Sequence, residues 1–179
     1  MKTLIICASR YGSTMEIGRW ITERLPWNDV ALFHVKEAPE PDGYNFIFLG
    51  GGVYNEQVDK VLVQYAETHL TALEKKKIAL FAVCMDTRGV YMKGRFWGGW
   101  LYLSPLLEAL ENITPIYADI LHGEINPKNL SEKDRALLMH FYTKILKRDV
   151  DDVPYRTLMN KAEVWEFVEK TMVRMKGRY

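Results

Sequence analysis

The chain has 179 residues, the length of one domain, and 48% hydrophobic against 26% charged residues, which excludes disorder, collagen and coiled coil as whole-chain readings. Its 24 basic and 23 acidic residues leave a net charge of +1, so no global field draws nucleic acid. Two cysteines, Cys7 and Cys84, make no disulfide framework and point to a reducing compartment. The apolar run at Leu4-Ile5-Ile6 is too short for a signal peptide, and no stretch approaches the roughly 18 to 20 apolar residues of a membrane span. The expectation is a cytoplasmic protein.

Short apolar runs alternate with helical patterns. Residues 3–8 are apolar and end at Ser9-Arg10-Tyr11-Gly12, which predicts a buried parallel strand. Residues 14–25 place Ile17, Trp20, Ile21 and Leu25 at helical spacing, with Pro26 as the stop. Residues 30–35 predict a second strand, and 44–49 a third that ends in Gly50-Gly51-Gly52. Val58, Val61, Leu62, Tyr65, Ala66, His69 and Leu70 form one face of an amphipathic helix, with Lys75-Lys76-Lys77 at its carboxyl end. Residues 78–83 and 116–121 predict strands four and five, with a helix around 103–110 between them. Ser131 with Asp134 then starts a helix carrying Leu138, Phe141, Tyr142 and Ile145 inward. Residues 149–154 connect it to a last helix, started by Asn160 with Glu163, that buries Val164, Phe167, Val168, Thr171 and Met172.

This alternation predicts an α/β fold in one domain over residues 1–179: a doubly wound parallel sheet with helices on both faces. Ligands in such sheets bind beyond the carboxyl ends of the strands. The loops after strands one, three and four are therefore the candidate site. Ser9-Arg10-Tyr11-Gly12-Ser13-Thr14 links a buried strand directly to a helix and offers three hydroxyls, a glycine and a helix N-terminus, which suit a phosphate. It is neither a Walker A loop nor a Gly-x-Gly-x-x-Gly fingerprint, so it suits a single phosphate held by neutral donors, as in a mononucleotide. A capped helix after a polar turn meets the same pattern.

The run from Leu4 to Thr14 resembles the phosphate signature of the flavodoxin-like FMN-binding family. There an apolar strand leads to Ser/Thr-x-x-Gly-x-Thr, and Ser9, Gly12, Thr14 and Gly18 fit. Cys7 stands where the family usually has an aromatic residue. The chain is most similar to the flavodoxin-like protoporphyrinogen dehydrogenases, in its opening Met-Lys-Thr-Leu-Ile, its length and a C-terminal helical extension after strand five. It departs from them with Val53-Tyr54-Asn55 where they carry Arg-Tyr-Gly. The resemblance implies strand order 2-1-3-4-5 and FMN as cofactor. The phosphate would lie on Ser9, Arg10, Tyr11, Gly12, Ser13 and Thr14. The flavin ring would lie against Gly51, Gly52, Val53, Tyr54 and Asn55, with Tyr54 stacked on it. Cys84, Met85, Asp86, Thr87 and Gly89 would flank its pyrimidine side. Cys84 reads either as a redox thiol or as an inert core cysteine, and the implied strand order separates it from Cys7.

Residues 88–107 contain no Asp or Glu but carry Arg88, Lys93 and Arg95 with Tyr91, Phe96, Trp97, Trp100 and Tyr102. Gly94, Gly98 and Gly99 suggest flexibility. Such a segment suits peripheral docking on an anionic membrane, a flat hydrophobic substrate, a second subunit of a homo-oligomer, or plain packing. The four histidines show no metal-ligand spacing, and no Gly-x-Ser-x-Gly elbow is present.

Three functions are expected in outline. The resemblance implies an FMN oxidoreductase acting on protoporphyrinogen in heme biosynthesis, with a quinone acceptor. The alternatives are a flavodoxin-type electron carrier and an NAD(P)H:quinone reductase. A net charge of +1 implies a flavin midpoint above that of acidic flavodoxins, because less negative charge opposes the anionic reduced flavin.

Overall fold

The structure is a computed structural model that describes every residue except Lys93, Arg178 and Tyr179. The strands are β1 (Thr3–Ala8), β2 (Val30–His34), β3 (Phe46–Tyr54), β4 (Lys77–Cys84) and β5 (Tyr117–His122). They form one parallel sheet in the order β2-β1-β3-β4-β5. The main helices are α1 (Ser13–Arg24), α2 (Lys60–Thr68), α3 (Ser104–Ala109), α4 (Glu132–His140) and α5 (Lys161–Lys176). The expected flavodoxin-like strand order is the observed one.

Every residue of β1 is buried, as a central parallel strand with helices on both faces requires. Alternation across the pleat divides the core in two. Leu4, Ile6, Ile47, Leu49 and Leu80 pack with Leu62, Tyr65 and Leu106 from α2 and α3. Ile5, Phe46, Phe48, Phe81 and Leu121 pack with Ile17 and Ile21 of α1 and Val164, Phe167 and Val168 of α5. The helix that the C-terminal extension contributes thus completes the core on one face of the sheet.

Three expectations are corrected. The glycine run is not a loop: β3 continues through Gly50, Gly51, Gly52 and Val53 to Tyr54, and turns only at Asn55 and Glu56, with φ of 51° and 64°. Tyr54 and Val53 then pair with the antiparallel segment Gln57–Val58. The glycines serve packing, because a Cβ on Gly50 would lie 1.9 Å from Cζ of Phe81, and one on Gly51 would lie 2.3 Å from Cγ2 of Val58. Second, the segment after Ser131 does not carry all four expected side chains inward. Tyr142 is buried, but Phe141 and Ile145 are 44% and 61% exposed. A π-type turn over Phe141–Ile145, with the Leu146 N–H bonded to the Phe141 carbonyl at 2.9 Å, breaks the helical phase there.

Third, the described residues of 88–107 are not a plain loop. Val90–Met92 and Arg95–Trp97 pair as an antiparallel hairpin, followed by a 3-10 turn at Gly99–Leu103 that runs into α3. Gly99, at φ 55°, lets the backbone cross close to Arg88; a Cβ there would stand 2.9 Å from the Arg88 carbonyl oxygen. This crossing closes the base of the hairpin. Lys93 lies outside the described residues.

Gly50→Ala should lower the stability to urea by about 1–3 kcal/mol through overpacking against Phe81, with partial recovery in the double variant with Phe81→Leu. An unchanged midpoint in the single variant would show that the Phe81 ring yields freely.

Candidate functional site

The carboxyl ends of β1, β3, β4 and β5 share one rim. After β1, Gly12 takes φ 100°, which an L side chain adopts only with strain, and α1 begins at Ser13. No side chain caps this helix. Ser9 instead folds the loop back on itself, its Oγ accepting the Gly12 N–H at 3.0 Å. Thr14 Oγ1 is buried without a hydrogen-bond partner, the single such side-chain polar atom among the described residues. Leaving a buried hydroxyl unpaired costs about 1–3 kcal/mol. An uncapped helix end, a dipole of positive sign and an orphan hydroxyl together define an anion cradle.

Two side chains hold the cradle from outside. The Arg10 backbone N–H donates to Tyr54 Oη at 3.1 Å, and its Nε donates to Asp59 Oδ2 at 2.9 Å. Its guanidinium sits 3.9 Å over the Tyr54 ring centroid, a cation–π contact. Asp59 is buried and also caps α2, accepting the Val61 N–H at 3.1 Å. Tyr11 Oη donates to the Asp134 carboxylate and lies 3.3 Å from Ser131 Oγ, so the first turn of α4 is bonded to the loop. Nη1 of Arg10 stands 3.9 Å from the same Asp134. From the strand beside it, His34 Nδ1 accepts the Lys36 N–H, so its Nε2–H donates to the Ser9 carbonyl at 3.1 Å.

The expected ring-facing residues fall at the ends of two strands and in the segments that follow them. Gly51, Gly52, Val53 and Tyr54 end β3, and Asn55 begins its turn. Tyr54 has one face under Arg10, and burial pushes its hydroxyl up to about 12. Cys84 ends β4, and Met85, Asp86, Thr87 and Gly89 follow it. Cys84 Sγ donates to the Asp86 carbonyl at 3.2 Å, and burial pushes its thiol up to about 12, so it carries no thiolate at neutral pH. Cys7 and Cys84 are both free, on strands that β3 separates. Thr87 Oγ1 lies 3.3 Å from His122 Nε2, and His122 Nδ1 lies 2.8 Å from Glu163 Oε1.

Sequence reasoning missed Asp59, Asp134, His122 and Glu163 as site neighbours. Ser131 and Asp134 were legible as a capping pair, but nothing local ties them to Tyr11, some 120 positions away. An open groove lined by Glu67, Leu70, Pro105 and Glu108 shares no residue with the rim and offers no catalytic pairing.

The sequence profile of the Flavodoxin domain matches residues 4–152. The chain therefore belongs to the flavodoxin-domain family. The fold agrees with flavodoxin 1 from Bacillus cereus at TM-score 0.58 and 15% identity, over 97% of this chain and 98% of that one. It agrees with a flavodoxin from the domain Archaea at 0.54 and 13% identity, over 98% and 99%. Flavodoxin 2 from Bacillus cereus gives 0.53 and 18% identity, over 97% and 99%. No curated protein shows a significant match.

The family implies FMN, and the residues present fit its phosphate: the orphan Thr14 hydroxyl and the uncapped first turn of α1 are the donors an anion needs. The class is an FMN-binding, flavodoxin-like redox domain. Among the described residues, no helix is long and apolar enough to cross a membrane.

Thr14→Val should leave the FMN-free protein as stable or more so, since it removes the orphan hydroxyl, while weakening FMN about tenfold to a hundredfold, the worth of a hydrogen bond to a charged group. Lower apo stability with unchanged FMN affinity would make the hydroxyl purely structural. A second test uses alkaline pH. The phenol of Tyr54 holds its proton more tightly folded than unfolded, so its contribution is intact below about pH 10 and is lost as pH rises through about 12. Tyr54→Phe should flatten the fall in urea midpoint across that window, and an unchanged slope would exclude Tyr54 as its source.

Proposed function

We propose that the chain is an FMN-dependent oxidoreductase of the kind represented by the flavodoxin-like protoporphyrinogen dehydrogenases, cytoplasmic and passing electrons to a quinone. The observation that carries this reading is the hairpin after β4 and the turn that follows it. Tyr91 and Trp100 are 71% and 55% exposed, and Val90, Phe96 and Leu101 are exposed beside them. Arg88 and Arg95 are exposed as well, and Arg95 lies 4.3 Å over the Trp97 ring. No acidic residue interrupts residues 88–107. Such a face suits a flat, apolar, carboxylated substrate, or a quinone reached at an anionic membrane surface through peripheral contact.

FMN, when bound, supplies the two-electron chemistry. The chain's part is to bind and to orient. Ser13 and Thr14 would hold the phosphate at the helix end, and Arg10 with Asp59 would fix the Tyr54 ring as a platform for the flavin. The loop from Cys84 to Gly89 would border the far edge of the ring, next to the base of the hairpin.

A second reading, an electron carrier, is favoured by one observation. The charges acting on Cys84 are those of Asp86, Glu163 and Glu56, all acidic. Carboxylates there would oppose an anionic reduced cofactor and lower its potential, against the effect of the near-neutral net charge.

Anaerobic reconstitution with FMN, followed by protoporphyrinogen, NAD(P)H and quinones in turn, separates these readings by the flavin's visible absorbance. Bleaching by protoporphyrinogen and recovery on adding quinone are expected. Bleaching by NAD(P)H alone would identify a quinone reductase. Response to neither donor, with a midpoint as low as that of acidic flavodoxins, would identify a carrier and overturn the enzyme reading.

A further inference from the structure

A second polar cluster lies on the rim, apart from the phosphate turn. Glu163 sits in the first turn of α5, where the helix dipole favours a carboxylate. Its Oε2 accepts the His122 backbone N–H at 3.1 Å, and its Oε1 lies 2.8 Å from His122 Nδ1. A carboxylate only accepts, so Nδ1 carries a hydrogen, and Nε2 lies 3.3 Å from the Thr87 hydroxyl, which can donate to it or accept from it. One imidazole thus joins the C-terminal helix to the loop after β4. The side chains of His122 and Glu163 are 33% and 27% exposed, which admits protons from water while limiting screening.

His122 is the register partner of Cys84, the last residue of β4. The charged groups that act on Cys84 come from three elements, Glu163 from α5, Asp86 from the loop after β4 and Glu56 from the turn after β3, and of these Glu163 bonds His122 directly. The Tyr102 hydroxyl, in the turn before α3, is raised by burial and by the same Glu56 and Asp86, and stays neutral. Glu163 is the carboxylate that His122 itself contacts, through both its ring Nδ1 and its backbone N–H.

We propose that His122 is the redox-linked proton acceptor of the flavin site, a role that rests on the FMN reading above. Two electrons from a reductant enter with two protons. FMN, when bound, would supply the electron acceptor and take up one proton, and the other proton would bind His122 at Nε2. The ring then donates from Nε2 to Thr87 Oγ1 and keeps its Nδ1–H bond to Glu163. The charge gained by His122 would offset the negative charge of a reduced cofactor, next to the Glu163 carboxylate.

The test uses FMN-loaded protein with dithionite as the reductant. The midpoint potential is followed between about pH 5.5 and 8.5, where imidazoles exchange protons. The wild type should show a two-proton slope over part of this range, and His122→Gln should halve it. In parallel, nitrogen NMR of the wild type should show the His122 ring neutral in the oxidised protein and cationic in the reduced protein at one and the same pH. That measurement decides the matter even if the variant fails to fold. Equal slopes in the two proteins, or ring signals unchanged by reduction, would overturn the proposal while leaving FMN binding intact. A chain that takes up no FMN would overturn both the relay and the function it rests on.

Discussion

The site depends on one unmet demand, the buried Thr14 hydroxyl at the open end of α1. A folded chain ordinarily pairs its buried polar groups. Here the two long side chains of the loop, Arg10 and Tyr11, are bonded to Asp59, Tyr54 and Asp134 instead of to the Thr14 hydroxyl. The cost is offset by the core beneath it, where β1 is buried on both faces. An anion that brought its own acceptors would remove the penalty, so the unpaired hydroxyl of the free protein would become affinity for a phosphate.

The segment beyond β5 is part of this site. Ser131 and Asp134, at the start of α4, fasten the phosphate loop through Tyr11. Glu163, at the start of α5, fastens the loop after β4 through His122 and Thr87. Both contacts come from the first turn of a helix, where carboxylates are already favoured by the dipole. The same geometry that starts each helix therefore ties it to the rim. The core contributed by Phe167 and Val168 keeps α5 in register with the sheet, and so fixes the distance from Glu163 to His122.

Two opposed fields meet at the rim. The half-buried carboxylate of Glu163 lies close to the end of β4, while the arginines of the hairpin are exposed. Exposed charges are screened within about 10 Å at moderate salt, and partly buried ones much less. The Glu163 carboxylate is therefore screened less than the exposed arginines, which weigh most on whatever approaches from solution. Net charge alone does not separate these effects, because it sums them.

The strands themselves and the strand-to-helix turn after β1 were legible in the sequence, because each rests on local pattern: unbroken apolar runs for β1, β3 and β4, and Ser9-x-x-Gly12-x-Thr14 at the junction; the strand order followed only from the family resemblance. Helix starts at Ser131 and Asn160 were legible for the same reason. The glycine run misled, since three glycines in a row suggest a turn, and only the Phe81 ring and the Val58 side chain across from them show that they are packed strand. The phase slip at Phe141–Ile145 was invisible because it depends on backbone bonds, not on residue type. Tertiary structure alone decided which polar groups meet: Arg10 with Asp59, Tyr11 with Asp134, His122 with Glu163. Periodicity reports which face of an element is buried, whereas such pairings depend on how separate elements are laid side by side, and one sequence carries no local trace of that.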